Sequence, residues 1–278
     1  MKVVTRIQEY RKLRPAMAEP LGFVPTMGYL HEGHMELVRR ARAENKTVVV
    51  SIFVNPTQFG PKEDFAAYPR DPERDLAMLK KERTDIVFMP GAEEMYPKKF
   101  NTWVEVEKVT ERLEGAFRPG HFRGVATVVL KLFNIVQPTR AYFGQKDAQQ
   151  LLVIKKMVSD LNLDLEVVPV PTVREPDGLA MSSRNSRLDA NERQAALVLW
   201  QALSLARELW QEGERSAERL RQEMTLLIDA EPLARVDYIS VAAPDTLEEL
   251  ELIDDSALVS MAVWIGKVRL IDNIMLGG

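Results

Sequence analysis

Residues 24–34 are the most informative segment of the chain and read Val24-Pro25-Thr26-Met27-Gly28-Tyr29-Leu30-His31-Glu32-Gly33-His34. The apolar run from Leu21 to Val24 predicts a short buried strand that Pro25 ends. Gly28 permits a turn, and Gly33-His34 then opens a segment with apolar residues at helical spacing. A strand, a turn and a helix start form an anion site, because the first N–H groups of a helix have no internal partner and the helix dipole is positive there.

The two histidines of this segment suggest what such a site could bind. His31 and His34 lie three residues apart, so both rings can face the mouth of the site. An imidazole N–H donates to a phosphate oxygen whether the ring is charged or neutral. Two alternatives remain open: a pair of ordinary surface histidines, and a zinc site. Zinc would need carboxylates as further ligands, because the chain has no cysteine and only one other histidine, His121.

Composition and charge narrow the class of protein. The 278 residues are 46% hydrophobic and 28% charged, which is ordinary for one large globular domain or two modest ones. The formal net charge of -4 predicts no strongly basic face, so we expect no nucleic-acid partner. The lack of cysteine excludes a disulfide framework and fits a reducing compartment. Residues 1–6 lack the apolar core of a signal peptide, and no uncharged run approaches membrane-spanning length, so we expect a cytoplasmic protein without a membrane partner.

Strand-like and helix-like segments alternate through the first part of the chain. The continuous β-branched run over residues 47–54 is typical of a central parallel strand buried on both faces. Further strands are predicted at residues 3–4, 85–90, 102–106, 140–143 and 167–173, and helices at residues 7–13, from 71, at 125–136 and at 148–161. This alternation predicts an α/β fold, a Rossmann-like parallel sheet with helices on both faces.

The pattern changes after residue 174. The segment Arg174-Glu175-Pro176-Asp177-Gly178 is charged and contains Pro and Gly, which is typical of a linker. Predicted helices at residues 192–209 and 216–228 follow, and then predicted strands at residues 236–241, 257–264 and 268–273. We therefore predict two domains, a larger one over residues 1–174 and a smaller C-terminal α+β domain over residues 175–278.

Further segments supply chemistry that a nucleotide site needs. Gln58 lies in a proline-broken loop after the β-branched strand, where loops line the ligand crevice of an open α/β sheet. Lys146 brings a positive charge to a second strand–turn–helix, and Ser182-Ser183-Arg184 brings hydroxyls and a planar guanidinium suited to phosphate oxygens. Taken alone, the motif at residues 120–124 has the simpler interpretation of a helix entry. Each segment alone is more often a surface charge, a cap or a loop, and their order along the chain favours the functional interpretation.

Taken together, these motifs resemble the pantoate–β-alanine ligase family of the cytidylyltransferase-like nucleotidyltransferase superfamily. The segments that carry the resemblance span nearly the whole chain, at residues 25–34, 51–59, 68–70, 118–124, 144–150, 177–185 and 269–273. The resemblance implies an ATP- and Mg²⁺-dependent ligase that joins (R)-pantoate to β-alanine through pantoyl adenylate and releases pyrophosphate and AMP. It also implies a homodimer, a domain over residues 1–174 that binds nucleotide and pantoate, and a lid over residues 175–278.

The resemblance further implies roles for individual residues, with no metal ligand assigned. His34 is the proton or hydrogen-bond donor to the phosphates, and His31 and Lys146 are the other catalytic residues. Gln58 and Gln150 hold pantoate, because a carboxamide can both donate and accept. The residues placed near the pantoate or β-alanine pocket are Asn55, Tyr68 and Arg118. The residues placed at ATP are Met27, Gly28, Tyr29, Leu30, His31, Glu32, Gly33, His34, Gly144, Gln145, Lys146, Asp147, Val173 (through its backbone), Met181, Ser182, Ser183 and Arg184.

Two positions depart from the family pattern, which has glutamate at Gln145 and an aromatic residue at Ala148. Neither change deletes a group that the chemistry needs. Two other functions stay open on the sequence: a nucleotidyltransferase that stops at the nucleotide adduct, and a nucleotide-binding sensor without turnover. The two glutamines oppose the first alternative, and Lys146 with the histidine pair opposes the second.

Overall fold

The structure is a computed structural model and describes residues 1–60 and 65–277. It divides into two compact units. The first comprises Met1–Gln145 and Gln149–Pro171, and the second comprises Lys146–Ala148 and Thr172–Gly278. The domain boundary between residues 174 and 175 stays a prediction. Pro61, at the end of the loop that carries Gln58, lies outside the described residues.

The first unit contains a six-stranded parallel sheet. Its strands are β1 (Lys2–Val4), β2 (Leu21–Thr26), β3 (Thr47–Ile52), β4 (Ile86–Phe88), β5 (Arg140–Gly144) and β6 (Glu166–Val170). They lie in the order β1-β4-β3-β2-β5-β6, and all five neighbouring pairs are parallel. The helices between them are α1 (Ile7–Leu13), α2 (Glu32–Glu44), α3 (Pro72–Lys81), α4 (Ala92–Met95), α5 (Glu114–Phe117), α6 (His121–Val136) and α7 (Ala148–Asp160). The predicted α/β fold is confirmed.

Helices cover both faces of this sheet. Successive residues of a strand point to opposite faces. Val49 of β3 therefore packs with Phe23 and with residues of α1, α6 and α7. Its neighbours Val48 and Val50 pack instead with Val24 and with residues of α2 and α3. The β-branched run is buried on both sides, as its sequence predicts.

The direction of strand addition reverses between β2 and β5. The chain proceeds from β2 to β3 and β4 on one side and from β5 to β6 on the other, and β2 pairs with β5 at Gly22 and Phe23. In an open α/β sheet, ligands bind outside the carboxyl ends of the strands at such a reversal. The turn after β2, which carries both histidines, lies at this place, and β5 ends at Gly144 on the same edge of the sheet.

Strand β2 is longer than predicted, because Pro25 does not end it. Residues 25 and 26 continue the pairing with β3. Phe53 N donates to Thr26 O at 3.0 Å, so the backbone N–H and C=O of Thr26 point toward β3. Backbone groups alternate in direction along a strand, so the nitrogen of Pro25 points toward the opposite edge of β2. On that edge, the described pairing with β5 stops at Phe23, so the missing N–H of Pro25 costs the sheet no hydrogen bond.

Two other predicted elements of the first unit differ from the structure. Helix α6 begins at His121, four residues before the predicted start at Val125, because Gly120 takes a left-handed conformation with φ 81° and turns the chain into the helix. Residues 103–106 alternate between exposed and half-buried, but residues 102–106 are not a strand in the described structure. Val104 N donates to Thr127 Oγ1 of α6 at 3.0 Å instead of to a neighbouring strand.

The second unit contains an antiparallel sheet of three strands, β7 (Ala234–Ala242), β8 (Ser256–Ile265) and β9 (Val268–Gly277). Its helices are α8 (Ala190–Ala195), α9 (Leu197–Gln211) and α10 (Ala217–Asp229), and α9 and α10 share an apolar core with the sheet. The predicted α+β organisation is confirmed. The single helix predicted over residues 192–209 is instead α8 and α9, which meet at Ala196 without a glycine or proline at the break.

Residues 174–178 form a folded turn of the second unit and not an open linker. Arg174 makes a β-bridge with Ala180. Arg193 of α8 forms ion pairs with Glu175 at 2.7 Å and Asp177 at 2.9 Å. The charges that gave the segment its linker-like composition are therefore partners within the fold. Across the described parts of both units, no helix combines the length and apolar character that crossing a membrane requires.

Candidate active site

The turn that follows β2 ends in a helix cap built from two imidazole rings. His31 is the N-cap of α2: Gly33 N donates to His31 Nδ1 at 3.2 Å, and His31 N donates to His34 Nδ1 at 3.3 Å. The ring centroids lie 4.1 Å apart. Because each Nδ1 accepts a hydrogen bond, the proton of each neutral ring sits on Nε2. Nε2–H is therefore the donor that each ring presents.

A carboxylate that sequence patterns did not predict holds the same turn. Asp75 of α3 accepts hydrogen bonds from Tyr29 N at 2.8 Å and from Leu30 N at 2.7 Å, and it is only 1% exposed. Burial raises the pKa of Asp75, and the two backbone N–H groups partly offset that rise because they stabilise the charged form. The one sequence signal for Asp75 is its position four residues before the buried Leu79, which places both on one face of α3.

Gln58 lies in the loop after β3, and the side chain of Asn55 fixes that loop. Asn55 is 1% exposed, and its Nδ2 donates to Gln58 Oε1 at 3.0 Å and to Gly124 O at 3.1 Å. Asn55 Oδ1 accepts from Tyr96 OH at 3.0 Å. Gln58 Nε2 lies 3.2 Å from Met27 Sδ, so this glutamine contacts the turn after β2. Both ends of the Asn55 amide are engaged within the protein, and its predicted contact with substrate stays a prediction.

The start of α6 packs directly against the Gln58 loop. His121 Nδ1–H donates to Gln58 O at 2.8 Å, and Arg118 Nη1 lies 3.2 Å from His121 Nε2. A carbonyl can only accept and a guanidinium can only donate, so the proton of a neutral His121 ring sits on Nδ1. The approach requires glycine at position 124, because a Cβ on Gly124 would lie 2.4 Å from Thr57 O and 2.7 Å from Gln58 N. Residues 120–124 are therefore a helix entry and also the support of the Gln58 loop.

Tyr68 and Gln150 lie on other elements of the first unit. Tyr68 is 6% exposed, and its ring centroid lies 5.9 Å from that of Phe59. Gln150 is half-buried on α7. Its neighbour Gln149, which the sequence motif did not distinguish, donates from Nε2 to Val109 O and accepts at Oε1 from Glu114 N, at 2.8 and 3.0 Å. Gln149 thus ties α7 to the chain around α5, and substrate contacts of Tyr68, Gln150 and Arg118 stay predictions.

The segment at residues 181–184 opens with local caps in the second unit. Ser182 Oγ accepts from Arg184 N at 3.2 Å, which caps a short 3₁₀ helix at Ser183–Arg187. Met181 N donates to Val173 O at 3.0 Å, so the two predicted ATP-contacting backbones lie side by side. The side chains of residues 181–184 are half-buried. Their predicted contacts with phosphate stay predictions.

The backbone of Lys146 is held by strand β9 within the second unit. Asn273 Nδ2 donates to Lys146 O at 2.8 Å. The adjacent Asp272 is 1% exposed on its side chain and accepts two hydrogen bonds from Arg174, at 2.6 and 2.9 Å. The motif at residues 269–273, for which the sequence offered no role, therefore supports the turn that carries Lys146.

The structure brings some of the predicted residues together. In the first unit, the histidine cap, Met27 and Gln58 occupy the carboxyl edge of β2 and β3. In the second unit, Val173 and residues 181–184 are adjacent. The meeting of Lys146 and Arg184 with the imidazole pair around one triphosphate stays a prediction. The alternative of a zinc site finds no support, because the described residues contain no group of three or more His, Asp or Glu placed to hold a metal ion.

A doubly wound parallel sheet with a helix start at the reversal of strand order is typical of α/β proteins of the nucleotide-binding class. The sequence matches the family described as Pantoate-beta-alanine ligase over residues 2–275. It is 60% identical to the pantothenate synthetase of Roseiflexus castenholzii over 276 aligned residues, and these residues cover 99% of each protein. The chain therefore belongs to the pantoate–β-alanine ligase family, and the resemblance inferred from its motifs is confirmed.

Solved structures agree with this assignment. The crystal structure of pantothenate synthetase from Thermus thermophilus superimposes with a TM-score of 0.94 at 51% identity over 99% of each chain. A pantoate-beta-alanine ligase from Francisella tularensis, complexed with beta-gamma ATP and beta-alanine, gives a TM-score of 0.81 at 34% identity over 99% of this chain and 97% of that one. The fold described above is therefore the fold of this family over nearly the full length of the chain.

Proposed function

We propose that this chain ligates (R)-pantoate to β-alanine with ATP, through a pantoyl-adenylate intermediate. The pantoate carboxylate attacks the α-phosphorus and pyrophosphate leaves. The β-alanine amine then attacks the acyl carbon, and AMP leaves with formation of pantothenate. Adenylation is needed because a free carboxylate is a poor acyl donor. Family membership over residues 2–275 supports the reaction, as does the complex of the Francisella relative with beta-gamma ATP and beta-alanine.

The observation that carries the proposal is the imidazole cap at the reversal of strand order. Attack on the α-phosphorus increases negative charge on the phosphate oxygens, so the site must place hydrogen-bond donors there before the reaction. The Nδ1 atoms of His31 and His34 are fixed by backbone N–H groups, which orients both Nε2–H donors. The positive end of the α2 dipole adds to them. His34 donates to the phosphates, and His31 lies beside it.

Pantoate presents hydroxyls beside a carboxylate, and we assign Gln58 and Gln150 to hold them. Gln58 is 8% exposed and is fixed by Asn55 and Met27, so its carboxamide is oriented before substrate arrives. Asn55, Tyr68 and Arg118 complete this pocket. In the second unit, Lys146 neutralises the reacting phosphate, and Met181, Ser182, Ser183 and Arg184 clamp the others. Residues 175–278 act as a lid that shields the mixed anhydride from water.

Mg²⁺ enters this reaction as part of the MgATP substrate. Protein sites for Mg²⁺ commonly use one or two carboxylates together with substrate phosphates and water. A metal held mainly by the triphosphate suits a chain whose described residues show no dedicated cluster of metal ligands. We also propose that the protein is cytoplasmic and forms a homodimer. Sedimentation velocity of the purified protein tests the homodimer.

The deciding experiment measures pyrophosphate, AMP and pantothenate while each substrate is omitted in turn. MgATP with pantoate alone should release at most about one equivalent of pyrophosphate per site, because the adenylate stays bound. Addition of β-alanine should give continuous turnover with equal AMP and pantothenate. Pyrophosphate release that does not depend on pantoate would contradict the proposal. A stable nucleotidyl product in place of AMP would favour the adduct-forming alternative, and ATP binding without any turnover would favour the sensor.

A further inference from the structure

The carboxylate of Asp75 is buried where no cation neutralises it at hydrogen-bond distance in the described structure. Its two oxygens accept from two successive backbone N–H groups, those of Tyr29 at 2.8 Å and Leu30 at 2.7 Å. These residues immediately precede the N-cap of α2. A carboxylate that is 1% exposed is costly to keep at such a place, and an amide or hydroxyl would avoid most of that cost. A side chain whose two oxygens both accept hydrogen bonds is therefore required at this position.

The turn that Asp75 holds is strained. Gly28 has φ 81° and Tyr29 has φ 50°, so two consecutive residues take left-handed conformations, and the second carries a side chain. A Cβ on Gly28 would lie 3.0 Å from Asp75 Oδ2 and 2.9 Å from Ile52 Cγ2, which shows how closely the turn rests on the carboxylate. Arg74, the neighbour of Asp75 on α3, places its guanidinium 5.4 Å from the centre of the Tyr29 ring. Helix α3 thus contacts this turn through two successive side chains, those of Arg74 and Asp75.

We propose that Asp75 is a positioning residue for the nucleotide-phosphate loop of residues 27–34. It fixes the Tyr29–Leu30 amides before ATP binds, and so fixes the entry angle of α2 and the direction of both imidazole Nε2–H groups. Asp75 does not itself contact ATP or pantoate. The inference rests on the proposed function, because it assumes that this loop binds the ATP phosphates.

Asp75→Asn is the sharpest test because it keeps the size and one carbonyl acceptor. The second oxygen becomes an NH₂ group that faces a backbone N–H, so one hydrogen bond is lost and two donors oppose each other. Asp85→Asn is the matched control. Asp85 Oδ2 also accepts a backbone N–H, from Val48 at 2.7 Å, but it lies at the amino end of β3, away from the loop.

The purified Asp75→Asn protein should bind MgATP about tenfold or more weakly by titration calorimetry, since a misplaced loop loses preorganised donors. The dissociation constant of pantoate should match that of Asp85→Asn. The lost hydrogen bond lowers the midpoint of thermal unfolding of Asp75→Asn, so MgATP binding is measured below that midpoint. A purely structural role predicts the lower midpoint without any selective loss of MgATP affinity. Either that result or unchanged MgATP binding overturns the inference.

A second measurement on the unmodified protein covers the case in which the variant does not fold. Amide hydrogen exchange of Tyr29 and Leu30 should be as slow without MgATP as with it, because Asp75 holds both N–H groups in advance. Protection that arises only when MgATP binds overturns the inference. Both experiments read MgATP binding and not turnover. Failure of the ligase assay would therefore reject the proposed function, and failure here would reject only the role of Asp75.

Discussion

Gly124→Ala should damage pantoate binding while it leaves the fold largely intact. The new Cβ would lie 2.4 Å from Thr57 O and 2.6 Å from Thr57 C, where ordinary contacts begin near 3.4 Å. The neighbours are backbone atoms and cannot rotate away, so the loop and α6 must separate by about 1 Å. Two hydrogen bonds cross the same contact, from Asn55 Nδ2 to Gly124 O at 3.1 Å and from His121 Nδ1 to Gln58 O at 2.8 Å. The separation lengthens both.

The size of the effect follows from that displacement. Misplacement of a substrate-positioning group by ~1 Å can cost on the order of 100-fold in rate, so kcat/KM for pantoate should fall by a factor between about 10 and 100. The global stability should change little. Overpacking costs about 1–3 kcal/mol, and alanine in place of glycine within a helix returns about 1 kcal/mol. The net loss, about 0–2 kcal/mol, leaves the protein folded at the assay temperature.

Steady-state pyrophosphate release at varied pantoate, with MgATP and β-alanine saturating, measures the effect, and thermal unfolding measures stability. Gly91→Ala is the control, because a Cβ there meets nothing within 4 Å and its φ of -75° suits alanine. MgATP binding should be unchanged in both variants. If Gly124→Ala shows the same kcat/KM for pantoate as Gly91→Ala, the reasoning that links this contact to Gln58 is wrong.

Three further predictions concern other groups. His34→Ala removes a hydrogen-bond donor to the phosphate oxygens on which charge develops, and it should lower kcat by about 100- to 1,000-fold. The missing cap hydrogen bond should lower the free energy of unfolding by only about 1 kcal/mol. Near-normal pyrophosphate release by this variant would show that His34 has no part in the mechanism. Arg174→Lys loses the two-pronged pair with the buried Asp272 and should destabilise the protein by about 2–4 kcal/mol in urea unfolding, whereas Arg193→Lys, at the more exposed pairs with Glu175 and Asp177, should cost under ~1 kcal/mol. Burial raises the pKa of Asp75 above its ordinary value of 3.8, so the contribution of this group to stability is full below 3.8 and is lost as pH rises through the folded-state pKa. Relative to Asp75→Asn, the free energy of unfolding of the unsubstituted protein should therefore fall as the pH rises above 3.8, and equal pH dependence of the two proteins would contradict the assigned shift.

The strands and the helix start could be predicted because local patterns dictate them. The β-branched run of β3 is buried on both faces as predicted, and the segment at residues 31–34 does begin a helix. Pro25 misled the prediction, because its effect depends on which edge of β2 its nitrogen faces. That edge is set by pairing with strands that lie far away in the sequence.

The supports of the site could not be predicted, because each depends on tertiary contacts. Asp75 is an ordinary acid in a charged helix until the fold places the amides of Tyr29 and Leu30 against it. Gly124 is an ordinary small residue until the chain at Thr57 approaches it. Residues 174–178 have the composition of a linker, yet Arg193 and Ala180 turn them into a folded hairpin. Short motifs identify side chains with chemistry, and they do not reveal the side chains that hold them in place.

The imidazole cap explains why a serine or an aspartate could not take the place of histidine at positions 31 and 34. Those side chains cap helices well, but they end at the atom that makes the cap. The imidazole ring is longer and has two nitrogens. Nδ1 accepts a hydrogen bond from a backbone N–H at 3.2 Å in His31 and 3.3 Å in His34, and Nε2, on the far side of the rigid ring, carries the hydrogen that can be donated.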